Sequence, residues 1–140
     1  MQVSPEGAAL LVRLYEVRLR DPYRSAAQWV EHDFAAASWA EIEERYPPGS
    51  EGHEALRVVL EHWELVGALV HFAAIDERML FDSGGEHLTV WQKIEPWIEE
   101  ARAELHEPTL FENLELLVKH HELWTSGRAP KLARRAQGSL

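Results

Sequence analysis

The sequence predicts an all-α, single-domain protein, an irregular orthogonal bundle of six or seven helices around one buried central helix. Three observations carry this. Apolar residues recur at spacings of three and four along nearly the whole chain, the period of one helix face. Proline, glycine and capping residues punctuate that pattern where helices should start and stop. No stretch alternates apolar and polar residues for long enough to make a strand, and no internal repeat is evident. With 140 residues, 46% of them hydrophobic and 27% charged, the chain can bury one core of its own and is too short for two ordinary domains.

The elements follow in order. Ser4-Pro5-Glu6 is an N-cap followed by proline at the first helical position, and Leu10, Leu11, Leu14 and Val17 supply the apolar stripe. Asp21-Pro22 ends this helix and opens a second, to about Ala36, with Ala26, Trp29, Val30 and Phe34 inward. Ser38 caps a short third helix, Trp39 to Tyr46, which Pro47-Pro48-Gly49 stops. Ser50 opens the longest helix, residues 51–72. One stripe of it holds Glu54, Arg57, Glu61, Glu64, Ala68 and His71, and most of the remainder is apolar. A helix apolar over most of its circumference belongs at the centre of a bundle. Asp76 caps a fifth helix through Phe81, and Ser83-Gly84-Gly85 is a turn. The sixth spans Glu86 to about Leu105, with Trp91, Ile94, Trp97, Ile98 and Ala101 inward and Pro96 expected to kink or break it. The seventh runs from Thr109 to about Ser126, with Phe111, Leu114, Leu117, Val118 and Leu123 inward and Gly127 as C-cap.

Composition excludes several classes. The chain has no cysteine, which removes disulfides, thiolate metal sites and a cysteine nucleophile and suits a reducing cytoplasm. The net charge of −10 argues against general nucleic-acid binding, which needs clustered Lys and Arg. All acidic residues precede Gly127. The basic tail, residues 127–140, holds Arg128, Lys131, Arg134 and Arg135 and is expected to be solvated or to fold back on the helical domain, residues 1–126. Leu65 to Ile75, the longest apolar-rich stretch, is interrupted by His71 and falls well short of the ~20 residues of a membrane span. The first residues show no basic region followed by an apolar run, so no secretory leader is expected.

Between Trp63 and Glu115 a pattern emerges. His62-Trp63-Glu64-Leu65-Val66-Gly67-Ala68-Leu69-Val70 leads to Ala74-Ile75-Asp76-Glu77-Arg78-Met79-Leu80-Phe81-Asp82, then Trp91, Ile94-Glu95-Pro96-Trp97-Ile98, Arg102 and Phe111-Glu112-Asn113-Leu114-Glu115. This resembles a family of small bacterial all-helical domains of unknown function. The resemblance implies the all-helical fold and supplies no catalytic residues. Members of that family often follow a membrane-anchoring helix, which this sequence does not display.

On a helix, two ligands meet one ion when they lie three or four positions apart. None of the eight histidines has a His, Asp or Glu at that distance, so the Glu-x-x-His and His-Glu-x-x-His motifs are absent. Carboxylate pairs do occur, and Glu61, Glu64, Glu112 and Glu115 would form a dinuclear site if the fourth and seventh helices faced each other there. The alternative for them is a solvated stripe with Arg57 and Lys119 as partners. His62 has Val58, Leu65, Val66 and Leu69 as helical neighbours. Its ring is expected to be partly buried and neutral, either as a ligand or general base or as a donor to a backbone carbonyl. His120-His121 suit the negative end of a helix dipole. No Gly-x-Ser-x-Gly elbow or phosphate loop is present. Six tryptophans are many for this length; most sit at core spacing, and Trp39, Trp97 and Trp124 are candidates for an interface.

The function these features suggest is a non-enzymatic interaction or regulatory module, cofactor-free and homodimeric through a tryptophan-bearing face. The alternative is a metal-dependent or small-molecule-binding hydrolytic site built from Glu61, Glu64, Glu112 and Glu115 with His62 nearby.

Overall fold

In a computed structural model, which describes residues 3–132, the described chain folds into eight α-helices with no strand. They are α1 (Pro5–Arg18), α2 (Tyr23–His32), α3 (Trp39–Arg45), α4 (Glu51–His71), α5 (Glu77–Ser83), α6 (Glu86–Ile94), α7 (Ile98–Glu104) and α8 (Glu112–Ser126). The caps fall where the sequence places them. Ser4 accepts from the Gly7 amide, Ser38 from Glu41, Ser50 from His53 and Asp76 from Arg78, each satisfying a helix-end donor that has no partner within its helix.

The count rises to eight because Pro96 breaks the expected sixth helix rather than bending it. Having no N–H, proline cannot continue the hydrogen-bond ladder. The Trp97 amide bonds to Ile94 rather than Lys93, and the Lys93 carbonyl accepts from the Trp97 indole, both at 3.1 Å. The segment expected as the seventh helix is therefore α8.

The long helix is central, packing most extensively against α8 and α2. It is not enclosed, however. Its buried stripe is Leu56, Val59, Leu60, Trp63, Val66 and Gly67, whereas Leu65 is half-exposed and Phe72, past the helix end, is largely exposed. Val17 and Leu123, expected inward, also face solvent. Each lies off the buried stripe of its helix, which runs through Leu11 and Leu14 on α1 and through Leu114, Leu117 and Val118 on α8.

Where α4 meets α8 the two backbones nearly touch. A Cβ on Gly67 would lie 2.7 Å from the Asn113 carbonyl carbon, so only glycine permits this approach. One turn earlier, Glu64 reaches the start of α8. Its carboxylate accepts from the Asn113 amide (3.3 Å), the Asn113 side-chain Nδ2 (3.0 Å) and the Leu114 amide (2.9 Å). The N-cap residue of α8, Phe111, sits in the left-handed region at φ 55° and offers no side-chain cap. Glu64 therefore caps α8 from across the core, a charge at the positive end of the helix dipole. Arg102 secures the approach to α8, donating to the Leu110 carbonyl at 2.9 Å and pairing with Glu115 at 2.9 Å.

The described part of the basic tail folds back. Arg128 and Lys131 pair with Asp82 on α5 at 3.3 and 2.6 Å, and the Arg128 guanidinium lies 4.0 Å above the Trp124 ring. Arg134 and Arg135 lie outside the described residues.

Candidate functional site

Four polar side chains occupy the buried or near-buried stripes of their helices, positions where the sequence otherwise places apolar groups. Arg18 continues the Gly7, Leu11, Leu14 line of α1, and Tyr23 begins the Tyr23, Ala26, Val30 line of α2. His87 starts the His87, Val90, Trp91, Ile94 line of α6, and His121 ends the Leu114, Leu117/Val118 line of α8. Arg18, Tyr23 and His87 converge on Trp63 of α4, and His121 joins them through His87.

The polar contacts form a chain. The Trp63 indole donates to the Tyr23 hydroxyl at 2.8 Å, and that hydroxyl donates to Glu86 at 2.6 Å. Glu86 is 3.8 Å from Arg18 Nε, whose guanidinium carbon lies 4.7 Å from the Trp63 ring centre. Arg18 Nη1 is 3.3 Å from His62 Nε2. Arginine has no acceptor, so His62 accepts there and carries its proton on Nδ1. Burial, with Glu86 beside it, pushes the Tyr23 phenol well above the usual range, so it stays a donor. Burial and the Arg18 charge lower His62 to about 4.

His87 and His121 form a separate buried pair, with Nε2 of the first 2.8 Å from Nδ1 of the second. His87 is 1% exposed, and among the described residues its Nδ1 has no hydrogen-bond partner. Phe81 stacks on His121 at 4.4 Å, and the His87 ring centre is 5.2 Å from that of Trp63. Burial, then the neighbouring His121, lowers His87 to about 4, and burial lowers His121 as well. Both rings are therefore neutral near pH 7.

His87 lines a cavity of about 600 Å³ between α1 and the α5–α6 turn. Arg18, Glu86 and Trp63 line it too, while Val12, Tyr15 and Leu19, spaced along one stripe of α1, form a largely exposed rim. Ser83, at the turn, gives its hydroxyl proton to the Leu80 carbonyl.

The residues singled out in the sequence are placed differently. His62 is half-buried and neutral as expected, but its ring partner is Arg18 rather than a backbone carbonyl. Glu61 is exposed and pairs with Arg57 at 2.8 Å; Arg57 also pairs with Glu54. Glu64 caps α8, Glu115 lies between Arg102 and Lys119, and Glu112 is exposed in the first turn of α8. Helices α4 and α8 do face each other there, yet Glu61, Glu64 and Glu115 turn to amides and cations. Among the described residues no group of three or more His, Asp or Glu is placed to hold a metal ion. Trp97 is fully buried and packs at a tilt against Trp39, ring centres 5.7 Å apart, and Trp124 packs against Phe81 and His121. His120 approaches Glu77 at 3.4 Å, whereas His121 turns into the core instead of serving the helix end.

Sequence reasoning missed Arg18, Tyr23, Glu86 and His87 as a group. The available signal was a polar residue on an otherwise apolar stripe, seen three times over at Arg18, His87 and His121.

Fold and site together define a small helical domain with a buried aromatic and imidazole cluster opening on a cavity. A family model described as a domain of unknown function, DUF4760, matches residues 4–121, and the chain belongs to that family. No curated protein and no solved structure matches it. Among the described residues no helix is long and apolar enough to cross a membrane.

Proposed function

We propose that this domain is a non-enzymatic binding module and that its recognition element is the cavity between α1 and the α5–α6 turn. One observation carries the reading: a cavity of about 600 Å³, within the roughly 300–1,000 Å³ of ligand sites, is lined by Leu11, Trp63, Leu80 and His87 on its inner side and by exposed Val12, Tyr15 and Leu19 at its rim. The non-catalytic part rests on how the nearby groups are engaged. The Ser83 hydroxyl is committed to a backbone carbonyl, His62 to Arg18, and His121 to His87. Among the described residues around the cavity, none of these groups pairs a free nucleophile with a base.

The test is an amide NMR screen of the labelled protein against soluble small molecules and short peptides. Bound compounds should shift amides of residues 12–19 and 83–87 and be recovered unchanged. Val12→Asp, at a half-exposed rim position, should abolish those shifts and leave the rest of the spectrum intact. Binding that maps elsewhere, or chemical conversion of a bound compound, would overturn the reading.

A further inference from the structure

We propose that the His87–His121 pair is an acid-sensitive clasp: proton uptake by the two imidazoles breaks their contact, and α5 with the α5–α6 turn opens away from α8. The inference goes beyond the binding reading and is tested on the protein alone.

The clasp follows from counting protons. Two neutral rings carry one proton each, and the 2.8 Å contact between His87 Nε2 and His121 Nδ1 holds one of them. A third proton, whichever ring it enters, leaves an N–H on His87 Nδ1, which is buried and has no partner among the described residues. It also places a charge among aromatic rings, away from water. A fourth puts an N–H on both facing nitrogens and turns the contact into a clash. The closed pair therefore refuses protons that the same rings accept in water.

Little around the pair offsets that charge. From α4 it meets Trp63 and from α5 Phe81, both uncharged. From α1, Arg18 repels an imidazolium at His87. On α6, Glu86 is bonded to the Tyr23 hydroxyl and lies beside Arg18. On α8, Glu122 favours a charged His121 but is exposed to solvent, which screens it. Asp82 on α5 is held by Arg128 and Lys131, and Arg128 lies over Trp124, the ring beside His121.

The element that yields is α5. It has seven residues and packs chiefly on α8. Its Phe81 ring covers both imidazoles, 4.4 Å from His121 and 6.0 Å from His87. Besides Asp82, its tie to α8 is Glu77, 3.4 Å from His120. Protonated His120 grips Glu77 more firmly, so that histidine opposes the opening and cannot supply it. Because Ser83, Gly84 and Gly85 line the α1 cavity, the same movement widens it.

Amide hydrogen exchange between pH 7.5 and 5.5, corrected for the intrinsic pH dependence of exchange, tests the clasp. The opening constant at Leu80 and Phe81 should rise about a hundredfold, about tenfold for each ring that is shielded when closed and titrates near 6.5 when open. His121→Leu should leave about tenfold, and His87→Leu/His121→Leu about onefold. His62→Gln should leave the hundredfold rise intact, since His62 takes no part in a local opening. Leu80 and Phe81 should open at least tenfold more readily than Val59 and Val66 of α4 throughout. If the leucine variants do not fold, the unmodified protein decides by ring-nitrogen NMR, which should show both rings neutral in the closed form at pH 5.5. A flat opening constant, protonation of either ring that leaves α5 exchange unchanged, or α5 amides that open only together with those of α4 would each overturn the proposal.

Discussion

Replacing Gly67 by alanine separates what the sequence suggests from what the packing dictates, because the two give opposite signs. Within a helix, alanine is favoured over glycine by about 1 kcal/mol, so on propensity alone Gly67→Ala stabilises α4. In the fold, the added Cβ would sit 2.7 Å from the Asn113 carbonyl carbon, about 0.8 Å inside the closest ordinary carbon–carbon contact. The obstructing atoms are backbone, so relief requires moving the start of α8. Overpacking of this kind costs about 1–3 kcal/mol. The displacement also draws the Asn113 and Leu114 amides away from Glu64, and losing a cap costs about 1 kcal/mol more. After subtracting the propensity gain, the expected net loss is about 2 kcal/mol. For 140 residues the unfolding entropy is about 0.3 kcal/mol per degree, which puts the fall in Tm near 7 °C. Calorimetry or thermal circular dichroism reads it directly. Gly84→Ala is the control: its Cβ would meet nothing within 4 Å, and the substitution should be neutral or stabilise by up to about 1 kcal/mol. A Gly67→Ala protein as stable as the parent, or more so, would refute the close-approach account.

Removing the carboxylate that caps α8 should cost about 2 kcal/mol in Glu64→Ala and about 1 kcal/mol in Glu64→Gln, which keeps an acceptor and loses the charge; urea denaturation measures both. Combined with Gly67→Ala, the loss should be less than additive, since both changes act on the same helix start. Tyr23→Phe leaves the Trp63 indole N–H and one Glu86 oxygen without the shared hydroxyl and should destabilise by about 1–3 kcal/mol, with a Trp63 side-chain NMR signal shifted upfield; an unchanged midpoint would count against the chain of contacts. Stability should also fall on mild acidification. His62 and His87 titrate at about 4 in the fold against 6.5 in the unfolded chain, so the unfolded state takes up protons that the folded state refuses. The contribution is present above about pH 6.5 and is lost as the pH drops toward 4, and a Tm series between pH 7 and 5, above the carboxylate range, isolates it. A flat profile across that window would contradict the burial assigned to these rings.

Much of the fold can be argued from residues alone. Ser4, Ser38, Ser50 and Asp76 cap helices in the sequence and in the structure for the same local reason, a side-chain oxygen bonded to an amide two or three residues on. Pro96 marks a discontinuity in either view, though whether it bends or breaks the helix depends on how the freed groups are re-bonded, and the Trp97 indole settled that. The site is less legible. His62 could be recognised as half-buried from its apolar helical neighbours, but Arg18 lies 44 residues away, and nothing in the local pattern pairs them. Glu64 looks like one more acid on a polar stripe; only the arrival of an uncapped helix 49 residues later makes it a cap. Read along its own helix, His121 suits the helix end, yet its spacing from Leu117 and Val118 points inward, and the presence of His87 makes that burial tolerable.

The sequence by itself determined the helical class, the absence of thiol chemistry, the starts and stops of most helices and most of the inward positions, because these depend on period, caps and backbone restrictions acting within a few residues. The tertiary structure decided which polar side chains meet. The Trp63–Tyr23–Glu86 chain, the Arg18–His62 contact, the His87–His121 pair and the Glu64 cap each join residues 34 to 63 positions apart. Contacts at that separation are fixed by how the helices cross, and the crossing is set by steric fit such as that at Gly67, which no single helix encodes.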